Sequence, residues 1–236
     1  LTEKVKKNNK LEEDVEVTVC HSEQELINSV KKEFDFILLS SVEYSWLNKT
    51  GNIKPVLVNE TQATSGYVYY LITNKKQKIK NISDLKNGSI KLLARSLGQV
   101  PSLWLDKILR DNKLPVKEKF FNNISFDYKP TNVVLPVFFN KIDAAIISKP
   151  SFELMCELNP QILKQADIIE ISDPLLFGVI CFDTKSKNKK RETFLYDTLL
   201  SLTNDASGKQ LMGLFNVDKI IPFKEEYMQN YLKLYK

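Results

Sequence analysis

Histidine is almost absent: His21 is the single one in 236 residues. Proton relays through imidazole, or metal sites built on several histidines, are therefore poorly supplied. Glycine is scarce too, at seven residues, and none sits in a Gly-x-Gly-x-x-Gly or P-loop run or in the Gly-x-Ser-x-Gly turn of a nucleophile elbow. The three cysteines, Cys20, Cys156 and Cys181, have no metal-ligand spacing, and their apolar neighbours predict buried, reduced thiols. No apolar run approaches the roughly 18 residues needed to span a bilayer. These shortages count against an α/β enzyme, although fold alone does not exclude one.

What is present describes a globular chain, 43% hydrophobic and 27% charged, long enough for one large or two small domains. The net charge of +5 is mild. Lysines spread along the whole length, as in Lys75/Lys76/Lys78/Lys80 and Lys185/Lys187/Lys189/Lys190, with no aromatic interleaving. Such runs read as solvated faces, and nucleic acid is set aside as a partner.

Two segments echo each other. Phe34-Asp35-Phe36-Ile37-Leu38-Leu39-Ser40 and Ile142-Asp143-Ala144-Ala145-Ile146-Ile147-Ser148 each lead a short apolar run with Asp and close it with Ser. Continuous apolar runs of this length predict strands buried on both faces. Ser40 and Ser148 then lie at carboxyl ends, where open α/β sheets bind ligands. Two such lobes would present two binding edges across a cleft; chance repetition of an α/β pattern is the alternative.

Elements alternate along the chain. Strands are expected at Val15–Cys20, Phe36–Ser40, Lys54–Asn59, Ser89–Ala94, near Lys119–Phe121 and at Ala144–Ser148. Helices are expected at Leu1–Asp14, Ser22–Lys32, Val42–Lys49, Pro101–Asn112, Asn132–Asn140, Ser151–Leu158, Lys190–Thr203, Ser207–Leu214 and Glu225–Lys236. Pro136 argues for a kink or a later start in its helix, and Ser22 with Glu25 reads as a capping box that makes His21 a loop residue. This alternation predicts parallel sheets with helical crossovers. Long β runs at 66–73 and 167–183 bracket the second echo. They predict lobe I from 1–69 plus 176–236 with its C-terminal helices, and an inserted lobe II from 70–175.

These residues resemble a family. Phe34 to Tyr44 resembles the first-lobe segment of phosphonate-type substrate-binding proteins, where an Asp-led strand enters a Ser/Gly-Pro-x-x-Tyr turn. Ile82-Ser83-Asp84-Leu85-Lys86-Asn87-Gly88 is similar to their Asp-Leu-Lys-Gly turn. Asn140-Lys141-Ile142-Asp143-Ala144-Ala145 resembles their Gly-x-Val-Asp-Ala-Ala. Phe152 to Pro160, Gly208 to Met212 and Phe215-Asn216-Val217 match in the same order. The resemblance implies a type II periplasmic binding-protein architecture of two lobes, hinged at two crossover segments. Its implied role is capture of a small polar ligand, such as a phosphonate- or phosphate-like oxyanion, for an ABC importer, by a monomer needing no cofactor or metal. The alternative within the fold is an extracytoplasmic ligand-sensing domain of a membrane receptor. Either role places the chain in the periplasm or on an extracytoplasmic anchor, and the expectation is a longer natural N-terminus carrying a first strand and an export signal.

The family's hydroxyl-rich loop before its oxyanion-binding helix corresponds here to Ala94-Arg95-Ser96-Leu97-Gly98-Gln99-Val100-Pro101, with most hydroxyls gone. A helix start there can still take an anion, with Arg95, Ser96, Gly98 and Gln99 as candidates, or Arg95 can point to solvent. Thr131 and Asn132 stand where some members carry a Ser-His pair. Ser40, Ser41, Tyr44 and Tyr67 are further candidates, with Tyr44 equally readable as a core or rim residue. Ser148 and Asp143 complete the set, although Asp143 suits a structural role better.

Overall fold

A computed structural model describes residues 16–94, 99–214 and 217–236. The expected opening helix and the 95–98 loop with Arg95, Ser96 and Gly98 lie outside the described residues. The chain clusters into two compact units. Unit 1 runs to Glu60 and resumes over Val179–Phe223; unit 2 is Thr61–Gly178 with Lys224–Lys236.

In chain order the main elements are α1 (Glu23–Ser29), β1 (Phe36–Ser40), α2 (Ser41–Leu47), β2 (Ile53–Glu60), β3 (Gly66–Tyr67), β4 (Tyr69–Asn74) and β5 (Ser89–Leu93). Next come α3 (Val100–Asp111), β6 (Asn123–Asp127), α4 (Pro130–Phe138), β7 (Ala144–Ser148), α5 (Lys149–Leu158) and β8 (Ala166–Ile171). The last are β9 (Leu175–Leu176), β10 (Gly178–Asp183), α6 (Lys189–Leu200), α7 (Ala206–Leu214) and β11 (Lys219–Pro222), before short helical turns to the end.

Unit 1 carries a sheet ordered β1-β10-β2-β11, with β10 and β11 both antiparallel to β2. Leu57, Ile180, Leu199, Leu202, Met212, Val217 and Ile220 form a core on it. The first echo strand has its expected bounds but not its expected burial. Leu38 is 62% exposed although Phe36, on the same face, packs against that core, so β1, last in the sheet order, is covered over only part of this face. The expected 15–20 strand is absent over its described part, Glu16–Cys20, where Val17 and Val19 are exposed and no ladder partner holds them. At α1 only half of the expected capping box forms: the Ser22 hydroxyl accepts from the Glu25 N–H, but the Glu25 carboxylate accepts from the N–H of His21, one residue before the cap, rather than from that of Ser22.

Unit 2 carries the sheet β6-β5-β7-β4-β8. Its centre is parallel, β5 pairing with β6 and β7, while β4 runs antiparallel to both β7 and β8. The expectation of parallel sheets is thus corrected: β4 runs against both of its neighbours here, as β2 does against β10 and β11 in unit 1. β7 is buried along its whole length, as its Ala-Ala-Ile-Ile-Ser run requires. Ala145 and Ile147 pack with Val133, Val134 and Val137 of α4 and Phe152 and Met155 of α5. Each of these side chains larger than Ala145 contributes about 1.5–3 kcal/mol by leaving water. Pro136 does lie inside α4, but the helix begins earlier, at Pro130, whose fixed φ suits a first helical position. The strand expected near Lys119–Phe121 is a helical turn over Lys117–Phe120, and the strand follows as β6. Phe120 and Phe121 stack edge to face and are buried as a plug, so their apolar pair is not a strand core.

The two long β runs are each interrupted. Within unit 2 their short pieces β3 and β9 pair antiparallel, Gly66 opposite Leu176 and Tyr67 opposite Leu175. This ribbon is so close that a Cβ on Gly66 would come 2.3 Å from the Leu175 carbonyl oxygen.

Candidate functional site

The carboxyl ends of β5, β6 and β7 finish level: Leu92 lies beside Phe126 on one side and Ile146 on the other, and Leu93 beside Asp127. Each strand is followed by a helix, so the starts of α3, α4 and α5 gather at one sheet edge. These starts share a character. None has a side-chain cap, none has an acidic residue in its first turn, and each has a proline in its first two positions. By contrast α1, α2 and α6 begin on Ser22, Ser40 and Asn188 caps with glutamates in the first turn. An uncapped helix start leaves backbone donors and the positive end of the helix dipole for something else.

Two lysines stand at those starts. Lys129 is the residue before α4, and Lys149 is the first of α5. Cations there oppose the helix dipole unless an anion joins them. Asp127 does bring a carboxylate to the edge, but its oxygens already accept from the Lys129 N–H at 2.9 Å and the Asn132 amide at 3.0 Å. Those bonds, the backbone one first, hold its carboxyl below the usual range. Ser102, in the first turn of α3, is fully buried with no hydrogen-bond partner for its hydroxyl.

Of the sequence-predicted residues, Gln99, Thr131, Asn132 and Ser148 come to this edge. Gln99 precedes α3, its carbonyl accepting from Ser102 and Leu103. Thr131 is exposed in the first turn of α4. The Ser148 hydroxyl donates to that of Ser151 at 2.8 Å. Tyr67 joins from the ribbon. Its ring packs 4.8 Å from that of Phe177, burial pushes its phenol pKa up, and it lines a small groove with Gln62, Thr64, Lys149 and Pro150. Asp143 does not join. It sits at the opposite, amino end of β7, accepting from the Ser89 N–H at 2.7 Å, the Ser89 hydroxyl at 2.8 Å and Gln77 at 3.3 Å.

In unit 1, Ser40 and Glu43 complete a reciprocal capping box. The Ser40 hydroxyl and N–H both donate to the Glu43 carboxylate at 2.7 Å, and the Glu43 N–H donates back at 3.2 Å. Ser41 is fully buried with an unpartnered hydroxyl, and Tyr44 is buried edge to face against Phe223. Sequence reasoning missed Lys129, Lys149, Ser102 and Gln62. Only the Lys-Pro pairs at 129–130 and 149–150 could have flagged the lysines as helix starts rather than solvated charges.

Among the described residues no group of three or more His, Cys, Asp or Glu is placed to hold a metal ion, and no helix is long and apolar enough to cross a membrane. A comparison with curated protein sequences finds no match. Solved structures share the fold. A Xanthomonas citri protein bound to ATP superposes with TM-score 0.73 at 14% identity, covering 94% of this chain and 84% of that one. A binding-protein component of an ABC phosphonate transporter from Pseudomonas aeruginosa gives 0.70 at 14%, covering 99% and 78%. PhnD1 of Prochlorococcus marinus, in complex with methylphosphonate, gives 0.70 at 15%, covering 99% and 88%. All belong to the two-lobe periplasmic binding-protein architecture, which is the fold of this chain. Residues 8–227 match the family model described as the phosphonate ABC transporter's periplasmic substrate-binding protein, and the chain belongs to that family of non-enzymatic solute-binding proteins.

Proposed function

We propose that the chain captures a small oxyanion, phosphonate- or phosphate-like, at the strand-end edge of unit 2. As a monomer it would then deliver the ligand to an ABC permease on the extracytoplasmic side of the membrane, whether free or anchored there. The observation that carries this reading is the convergence of three uncapped, acid-free helix starts bearing Lys129 and Lys149. The prolines have no N–H and those of Ser102, Leu103, Asn132 and Lys149 are bonded within the fold, so the first turns offer a tetrahedral oxyanion the Val100, Thr131 and Ser151 N–H groups, and the lysines add charge. The methylphosphonate and ATP held by two similar proteins both present phosphorus oxyanions, the chemistry such an edge suits. The candidates Gln99, Thr131, Ser148 and Tyr67 would supply polar side-chain contacts around it.

Isothermal titration of the purified chain with methylphosphonate, inorganic phosphate and a neutral sugar tests the reading. Saturable binding of an oxyanion, with a rise in melting temperature by mass action, supports it. Binding of the sugar with no response to either oxyanion overturns it. Stimulation of a permease's ATPase by the loaded protein separates transport from sensing.

A further inference from the structure

Lys149 occupies a position that the α5 dipole disfavours for a cation. The carboxylate facing it is Glu153, one turn along, with Oε1 at 3.8 Å from Nζ, beyond hydrogen-bond length. Glu153 is held elsewhere. The Gln62 amide donates to its other oxygen, Oε2, at 3.0 Å, across 91 residues of sequence.

Gln62 reaches that place on a strained turn. Thr61 and Thr64 exchange backbone hydrogen bonds of 2.9 and 3.0 Å, closing a two-residue hairpin. Gln62 and Ala63, its two central residues, have φ of 50° and 58°, both left-handed. Asn-Gly is the pair that tolerates such a turn; Gln and Ala adopt it at a cost in free energy. The cost is met at a turn whose side chain restrains the carboxylate nearest the Lys149 ammonium, in the groove that Tyr67 also lines.

We propose that Glu153 is a built-in competitor of the anionic ligand, and that Gln62 is a positioning residue that restrains it from closing on Lys149. This rests on the oxyanion reading above. A carboxylate fully paired with Lys149 would occupy the cation the ligand needs and would repel the ligand as well. Held by Gln62, it weakens anion binding without cancelling it, which favours release. Both side chains are about two-fifths exposed, so solvent screens the effect to a few-fold.

Titration of the full chain with methylphosphonate and methanesulfonate at low salt tests the proposal. Glu153→Gln should tighten methylphosphonate binding about 2–5-fold, and methanesulfonate, with less charge, by a smaller factor. Gln62→Ala should weaken both about twofold, and the double variant should match Glu153→Gln alone, since Gln62 acts through the carboxylate. Melting curves confirm that each variant folds. Unchanged or weaker binding by Glu153→Gln, or a Gln62→Ala loss that persists in the double variant, overturns the proposal while leaving the oxyanion reading intact. If the wild-type chain binds neither anion, nor phosphate, the oxyanion reading itself fails and this proposal falls with it.

Discussion

Tyr69 stands opposite Ser148 across the antiparallel pair β4/β7, and the next residue, Lys149, donates its N–H to the Val68 carbonyl at 2.8 Å. That register fixes the start of α5 against the strand entering from the crossover. It is why Tyr67 and Gln62, remote in sequence, line the same groove as Lys149.

If the strand-end edge is the anion site, its lysines carry binding. Lys129→Ala and Lys149→Ala should each weaken oxyanion binding about tenfold, the worth of a charged hydrogen bond. Lys80→Ala, exposed near the other end of β4, should leave affinity unchanged. Calorimetric titration decides it, and equal losses at all three positions would point to general electrostatics.

Ser102 should show opposite effects on stability and affinity. Its hydroxyl is buried without a partner, an arrangement that costs about 1–3 kcal/mol of folding stability. Ser102→Ala should raise the melting temperature while weakening oxyanion binding. A rise with unchanged affinity would remove Ser102 from the site.

Asp143 should behave as a structural residue. Asp143→Ala removes the acceptor for Ser89 and Gln77 and should lower stability by roughly 1–3 kcal/mol, leaving ligand affinity as it was. Urea denaturation alongside titration separates the two.

The strands that were legible from sequence are those whose burial pattern is local. Phe36–Ser40 and Ala144–Ser148 are apolar runs with clear ends, and both bounds hold. Asn123–Asp127 was not legible, because it is a half-buried edge strand with Asn123 and Ser125 among its five residues. Lys219–Pro222 escaped for a similar reason: Ile220 is its only buried residue, so no alternation shows. The site was legible where a strand end is enough, as at Ser148. Lys149 and Gln62 depend on the Tyr69–Ser148 register and on a left-handed turn at Gln-Ala, and neither leaves a local mark in the sequence.

The β3–β9 ribbon makes Gly66 irreplaceable. A methyl group there would meet backbone atoms of Leu175 and Leu176, which cannot rotate away as a side chain could. Gly66→Ala should cost about 1–3 kcal/mol, a drop in melting temperature of roughly 2–12 °C for a chain of this size. Stability within 0.5 kcal/mol of wild type, about the scatter of a neutral surface change, would show that the ribbon opens readily.

Alkaline pH should reveal the buried acids. Burial pushes the Cys181 thiol up to about 12 and raises the Tyr69 phenol, mainly by burial and secondarily through Tyr67. In the unfolded chain both groups ionise near their ordinary values of 9.0 and 10.0. Between pH 9 and about 12 the unfolded state therefore loses protons that the folded state keeps. Stability is complete below pH 9 and falls as pH rises through that window. Cys181→Ala should flatten part of the fall, at the expense of a small cavity that is independent of pH. Denaturation midpoints measured at pH 8, 9.5 and 11 in both proteins provide the check. Parallel pH profiles would show that Cys181 is not among the groups responsible.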